Sequence, residues 1–273
     1  MNKVAFAFGF ILLLLCGCAN LPASNTQTAS TVPTRQEQPS ILIILLDDLG
    51  YSDIGAFGSE IRTPNIDSLA ARGATFSQFY VYPRCSPTRA ALMTGRYPHE
   101  AGLAFLTTPE GSNPPAGPYQ GYLEPSLPTL PGLLRNAGYK TYMSGKWHLG
   151  EAPENWPRNR GFDRYFGLIS GASSYYELLE NSMTERRMAL DDNPFTPPET
   201  GFFMTDATTD YAQVFLKEHR EASPDRPFFL YLAYTAPHWP LHAPEADIHA
   251  YDGVYDNGWN SIRAARYAAM KKR

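Results

Sequence analysis

Cysteine is scarce in this chain: 273 residues contain three, at positions 16, 18 and 85. So few exclude a small disulfide-stapled scaffold, and a chain of this length can bury one substantial hydrophobic core instead. Charge of one sign is also missing: 23 basic and 27 acidic residues give a net charge of -4. Without a basic block the chain is not a nucleic-acid binder, because phosphate backbones require clustered Lys and Arg. A small anion stays compatible, since local positive charge in a cleft can coexist with an acidic total. No internal repeat is found, and length and composition make one large domain the default.

Long apolar runs are limited to Val4 through Leu15, behind the short positive start Asn2-Lys3. That run is too short to span a bilayer comfortably and reads as the core of an export leader. Leu15-Cys16-Gly17-Cys18 resembles a bacterial lipoprotein cleavage box, which makes residues 1–18 a leader ending in a lipidated Cys18. Ala19 after Cys18 favours the outer membrane in that pattern. The expected location is therefore the periplasmic side of the outer membrane or the cell surface, with the lipid anchor as the membrane contact. Residues 19–39 are dominated by Ser, Thr, Gln, Pro and Ala and read as a flexible tether. Cleavage and lipidation would leave Cys85 as the sole free thiol in a compartment that usually pairs thiols, and such a residue calls for a reason.

From residue 40 to 273 the pattern is α/β. Ile41 to Leu46 is a continuous aliphatic run, as in a strand buried on both faces of a largely parallel sheet, and it stops at Asp47-Asp48. Ligand sites in open α/β sheets gather beyond the carboxyl ends of strands. Thr63, Pro64 and Gly73 bracket a helix. Thr75 to Val81 reads as a second strand, and Ser86 to Thr94 as a helix ended by Gly95. Cys85 thus falls at a helix start, where unpaired N–H groups favour negative charge. Helices are also expected over Pro128–Asn136, Ala207–Glu221 and Trp259–Arg273, with strands at Tyr139–Met143 and Phe228–Tyr234. The stretch from Glu151 to Gly201 is rich in Gly, Pro and aromatic residues, has no clean period, and reads as loops around a pocket.

Strand ends therefore deliver Asp47-Asp48, Lys146 with His148, and His238, while a helix start delivers Cys85 and Arg89. Carboxylates for a hard cation, cations for an anion, imidazoles for proton transfer and one nucleophile suit displacement at a tetrahedral oxyanion centre. Residues four apart share a helix face, so Arg89 can support whatever Cys85 becomes. Isolated, a free cysteine is usually a packing residue and an Asp pair is a turn or cap about as often as not; the surrounding motifs shift that balance.

Those motifs resemble the formylglycine-dependent sulfatases. Cys85-Ser86-Pro87-Thr88-Arg89-Ala90-Ala91-Leu92-Met93-Thr94-Gly95-Arg96 looks like that family's first signature, and Gly138 through His148 like its second. Leu45 to Tyr51, Thr63 to Asp67, and Ala236-Pro237-His238-Trp239-Pro240-Leu241 are similar to the arylsulfatase pattern. The resemblance implies an alkaline-phosphatase-like α/β/α sandwich with a mostly parallel central sheet, incomplete at its C-terminal side. It implies that Cys85 is oxidised by a formylglycine-generating enzyme, and that Asp47, Asp48 and the modified Cys85 side chain bind one Ca2+ ion. Arg89 and Lys146 would steady the nucleophile and the sulfate, His148 would stand beside the nucleophile, and His238 near the leaving group. The implied substrate is a sulfated small molecule or glycan. Asp256-Asn257-Gly258 imitates the family's downstream metal pair but sits in a polar loop without a preceding buried strand, so it is read as a turn. Two rival readings stay open: a phosphate or phosphonate ester hydrolase of the same superfamily, and a truncated, inactive lipoprotein that only binds anions or glycans.

Overall fold

The computed structural model describes residues 38–179 and 185–272. The leader, Cys18 and all but the last residues of the tether lie outside the described residues. In chain order the elements are β1 (Ile41–Leu45), α1 (Pro64–Arg72), α2 (Cys85–Thr94), α3 (Leu130–Asn136), β2 (Lys140–Gly145), β3 (Arg164–Leu168), β4 (Met188–Leu190), β5 (Asn193–Phe195), α4 (Met204–Ala222), β6 (Phe228–Ala233), α5 (Glu245–His249) and α6 (Gly258–Met270). The strands form one sheet in the order β1-β6-β2-β3-β4-β5. The pairs β1–β6, β6–β2 and β2–β3 are parallel, whereas β4 and β5 extend the far edge antiparallel.

Period-two alternation divides the sheet residues between two cores. Phe229, Tyr231 and Ala233 of β6 join Met143 and Tyr165 in a cluster that also takes Ala90 and Met93 of α2 and Leu130 and Leu134 of α3. Leu230 and Leu232 point the other way and join Tyr142, Phe166 and the Met204, Ala212 and Phe215 stripe of α4. Helices thus cover both faces of a mostly parallel sheet, the alkaline-phosphatase-like α/β/α sandwich expected from the sequence.

Three local expectations are corrected. β1 is buried on one face only: Ile41, Ile43 and Leu45 pack on the α2–α3 side, while Leu42 and Ile44 are 50% and 47% exposed. α4 lies over β2, β3 and β6 and does not extend over β1. Thr75 to Val81 is not a strand; Phe76, Phe79, Tyr80 and Val81 stand exposed, and among the described residues no strand pairs with them. Strand composition without a partner edge does not make a strand. Finally, Glu151 to Gly201 contains β3, β4 and β5 as well as loops. These strands were hard to see because two of them have only three residues each.

Candidate active site

The parallel strands end on one edge, and the segments leaving them are tied together by backbone hydrogen bonds. Asp47 N–H donates to Ala236 O (3.1 Å), Lys146 N–H to Ala233 O (2.8 Å), and His148 N–H to Ile169 O (3.0 Å). These bonds hold the exits of β1, β2, β3 and β6 as one surface. Gly145 makes the approach possible: its φ is +116°, and a Cβ there would lie 1.9 Å from Ala233 O. Asp48 and His148 both adopt left-handed backbone (φ 66° and 55°). That conformation is uncommon outside glycine and concentrates at functional positions. Lys146 and His148 do not lie on one extended segment, because β2 ends at Gly145 and the chain turns at His148. Both side chains are nonetheless buried.

α2 begins at Cys85, and its inward face places Ser86, Arg89, Ala90 and Met93 against the sheet. Arg89 is fully buried and runs beneath the strand ends. Its Nη1 donates to Lys146 O (2.6 Å) and to the Tyr231 hydroxyl (3.4 Å), and its Nη2 lies 3.4 Å from Asp47 Oδ1. Lys146 Nζ pairs with the other Asp47 oxygen, also out of water. Two buried cations therefore share one buried carboxylate. Arg89 Nε, the Ser86 hydroxyl and His148 Nδ1 are buried without a hydrogen-bond partner, and Arg89 Nη2 has only the 3.4 Å contact with Asp47 Oδ1. Buried polar groups without partners cost free energy, and an anion beside Arg89 would satisfy its unpaired Nε–H. Cys85 is close enough to Arg89 and Lys146 to act on their charge.

The electrostatics follow from burial. Desolvation, reinforced by Lys146, Arg89, Arg186 and His238, holds His148 well below its usual value, so the imidazole is neutral. Desolvation and the neighbouring Arg89 lower Lys146, with Asp47 opposing. Burial works against the Arg89 charge, but Tyr231, Asp47 and Cys85 outweigh it and raise its pKa.

His238 lies at the rim of this cluster, partly buried, with Nε2 3.5 Å from Asp48 Oδ2. Its carbonyl accepts from the Tyr175 hydroxyl (2.7 Å), which fixes the loop after β6. Tyr175 also packs beside His242, whose Nδ1 faces the Tyr175 N–H at 3.5 Å. Both residues thus look structural. Tyr231 was missed by the sequence reading. It lies inside a buried strand, where an aromatic residue is ordinary, and only the fold brings its hydroxyl to Arg89.

A divalent cation fits these residues only in part. One Asp47 oxygen is taken by Lys146 and the other faces Arg89, while Asp48 is exposed beside His238. Among the described residues no three His, Cys, Asp or Glu side chains converge to hold an ion. Asp256 and Asn257 sit exposed in the turn before α6. Calcium takes roughly six to eight oxygens, so the described residues do not form a complete site for it.

A free cysteine at a helix start, beside buried cations at the carboxyl edge of a parallel sheet, defines the site of this α/β protein. The family is shown by comparison: the Sulfatase family model matches residues 39–272, and the chain belongs to that family. It is 32% identical to an arylsulfatase of Klebsiella aerogenes, over 99% of this chain and 55% of the relative. It is 36% identical to the N-acetylgalactosamine-6-sulfatase of Canis lupus familiaris, over 89% of this chain and 46% of the relative. Among solved structures it superposes on Ps i-CgsB in complex with a neocarrahexaose, with a TM-score of 0.70 and 35% identity, covering 85% of this chain and 51% of that one. The chain spans about half the length of these relatives.

Proposed function

We propose that the chain carries the nucleophile side of a sulfuric ester hydrolase of arylsulfatase type, with Cys85 as precursor of a formylglycine. The observation that carries this reading is the fully buried Arg89, whose Nε lacks an acceptor and whose Nη2 has only Asp47 Oδ1 at 3.4 Å, beside Lys146, His148 and the Cys85 helix start. Converted by a formylglycine-generating enzyme, Cys85 would supply a hydroxyl for attack on sulfur. The other groups are the chain's own. Arg89 and Lys146 attract the sulfate oxygens and hold them over the start of α2, in a low-dielectric setting where each contact counts for more than in water. His148, kept neutral by burial, can accept a proton at the nucleophile side, and the partly buried His238 can deliver one to the departing alcohol. Asp47 holds both cations in register.

Membership of the family supports a cation requirement. Ca2+ held by Asp47, Asp48 and the modified Cys85 side chain is the form proposed here; it needs further oxygen ligands, and no step above depends on it. The relatives support a sulfated small molecule or glycan as substrate. Export and lipidation at Cys18 belong to the same proposal and rest on the leader motif alone.

Two measurements test it. Mass spectrometry of the Cys85 peptide, after co-expression with the modifying enzyme, should show formylglycine; persistent thiol removes the mechanism. Paired kinetics on a sulfate and a phosphate ester of one alcohol should favour sulfate and vanish in Cys85→Ala. Preference for phosphate transfers the protein to the phosphoesterase reading.

A further inference from the structure

A cavity of about 350 Å³ opens on the nucleophile side of the site, with His148 in its wall. Residues 106–110, Glu151, Ser170 and residues 185–187 complete the lining, and none of Cys85, Arg89, Lys146 or His238 belongs to it. It is therefore set apart from the groups that would hold and split an ester. The lining mixes hydroxyls, carboxylates and guanidinium groups, which suits water, and at about 30 Å³ per molecule there is room for several.

His148 has a proton to dispose of. Once it accepts one from the nucleophile, an imidazolium stands buried among Lys146, Arg89 and Arg186, all positive, with its Nδ1 unpartnered. Asp47 offers no relief, because one of its oxygens pairs with Lys146 and the other faces Arg89. The cavity supplies three other carboxylates. Glu110 and Glu185 are paired with Arg187, and their side chains are 38% and 72% exposed. Glu151 lies further in. Its two oxygens accept from the Thr107 and Ser170 hydroxyls at 3.0 Å each, and Trp156 Nε1 donates to its carbonyl (2.9 Å). Each carboxylate oxygen keeps a second lone pair for water. Burial raises the Glu151 carboxyl, against the pull of Ser170, Thr107 and Arg186, while burial lowers His148. The two shifts run toward each other, which lowers the usual penalty for passing a proton from an imidazolium to a carboxylate.

Resting on the sulfate-ester reading, we propose that Glu151 is the proton relay of the nucleophile side, acting through His148. The His148 imidazolium gives its N–H proton to a water in the cavity as that water gives one of its own to the Glu151 carboxylate. The Glu151 carboxyl then releases the proton to bulk water, which leaves a neutral imidazole and a carboxylate ready for the next turnover. Glu151 touches neither the ester nor the nucleophile; it sets how fast His148 is restored, not how tightly sulfate is held.

The test is NMR on the full chain with isotope-labelled histidine, reading exchange of the His148 ring N–H with water, the signal being assigned through His148→Gln. Glu151→Gln should slow this exchange by at least about tenfold, a conservative share of what a positioned acid–base group contributes. Formate should restore the rate in Glu151→Ala, where the shortened side chain leaves space for it, and bulky pivalate should not. Glu151→Asp keeps the carboxylate with a shorter reach; it should give an intermediate rate and serves as the reading if the Gln variant does not fold. A merely structural role has the opposite sign, since a loosened wall lets water reach the ring sooner. Unchanged or faster exchange in these variants therefore overturns the relay. Phenyl sulfate added to the unaltered chain should shift the His148 signals; no shift removes the sulfate reading, and the catalytic use of the route with it, whatever the exchange rates.

Discussion

Asp47→Asn tests the electrostatic core of the site. Asp47, Arg89 and Lys146 have side chains 6%, 1% and 0% exposed, and His148 is neutral, so the buried cluster carries one net positive charge. Neutralising Asp47 raises that excess to two and leaves Lys146 without a charged partner, whereas Lys146→Met brings the cluster to neutrality and leaves Arg89 facing Asp47. Breaking a buried ion pair so that a charge is stranded costs about 3–5 kcal/mol, while replacing a buried charge with an apolar side chain of similar volume is often close to neutral. For a domain of this size each kcal/mol moves the midpoint by about 2–4 °C. Asp47→Asn should therefore lower Tm by roughly 6–20 °C, on this scaling, and Lys146→Met by much less. Differential scanning calorimetry at pH 7 in a buffer free of sulfate and phosphate measures both. Equal shifts in the two variants, or a fall of less than about 3 °C for Asp47→Asn, would refute the claim that the carboxylate holds two buried cations.

Two further outcomes are expected. Because burial holds His148 below its usual value of 6.5, the unfolded chain binds the extra proton first as pH falls. Its contribution to stability is therefore complete above about pH 6.5 and declines below it. The fall in stability between about pH 6.5 and 5, above the carboxylate range, should be shallower in His148→Gln, as read by urea unfolding; parallel pH profiles would show that His148 is not buried neutral. In Gly171→Ala the new methyl would lie 2.4 Å from the His148 ring. It should cost about 1–3 kcal/mol as overpacking and move the His148 ring signals in NMR; an unperturbed spectrum with unchanged Tm would show that the ring packs elsewhere.

Much of this molecule was legible because its signals are local. The aliphatic run of β1, the Pro64 start and Gly73 end of α1, and the stripe of α4 are periodicities that a chain expresses before it folds. Arg89, four residues after Cys85, follows from helical spacing alone. What was not legible depends on partners distant in sequence. Leu42 and Ile44 have the composition of buried residues, yet their face is open because α4 reaches β6 and not β1. Phe76 to Val81 has strand composition without an edge to pair with. Glu151, Ser170 and Arg186 carry no motif, and they meet only because the exits of β2 and β3 and the entry to β4 share one side of the sheet.

By itself, the sequence determined the family and the parallel α/β class and singled out Cys85 as the candidate nucleophile, since those are written in contiguous motifs and in the period of apolar residues. Tertiary structure alone decided that Asp47 is shared between two buried cations, that Arg89 keeps an unpaired Nε near Cys85, and that a polar cavity adjoins His148. The reason is physical: burial and pairing depend on what lies across the sheet, and desolvation, which sets the charge state of every group in this site, exists only after the chain has packed.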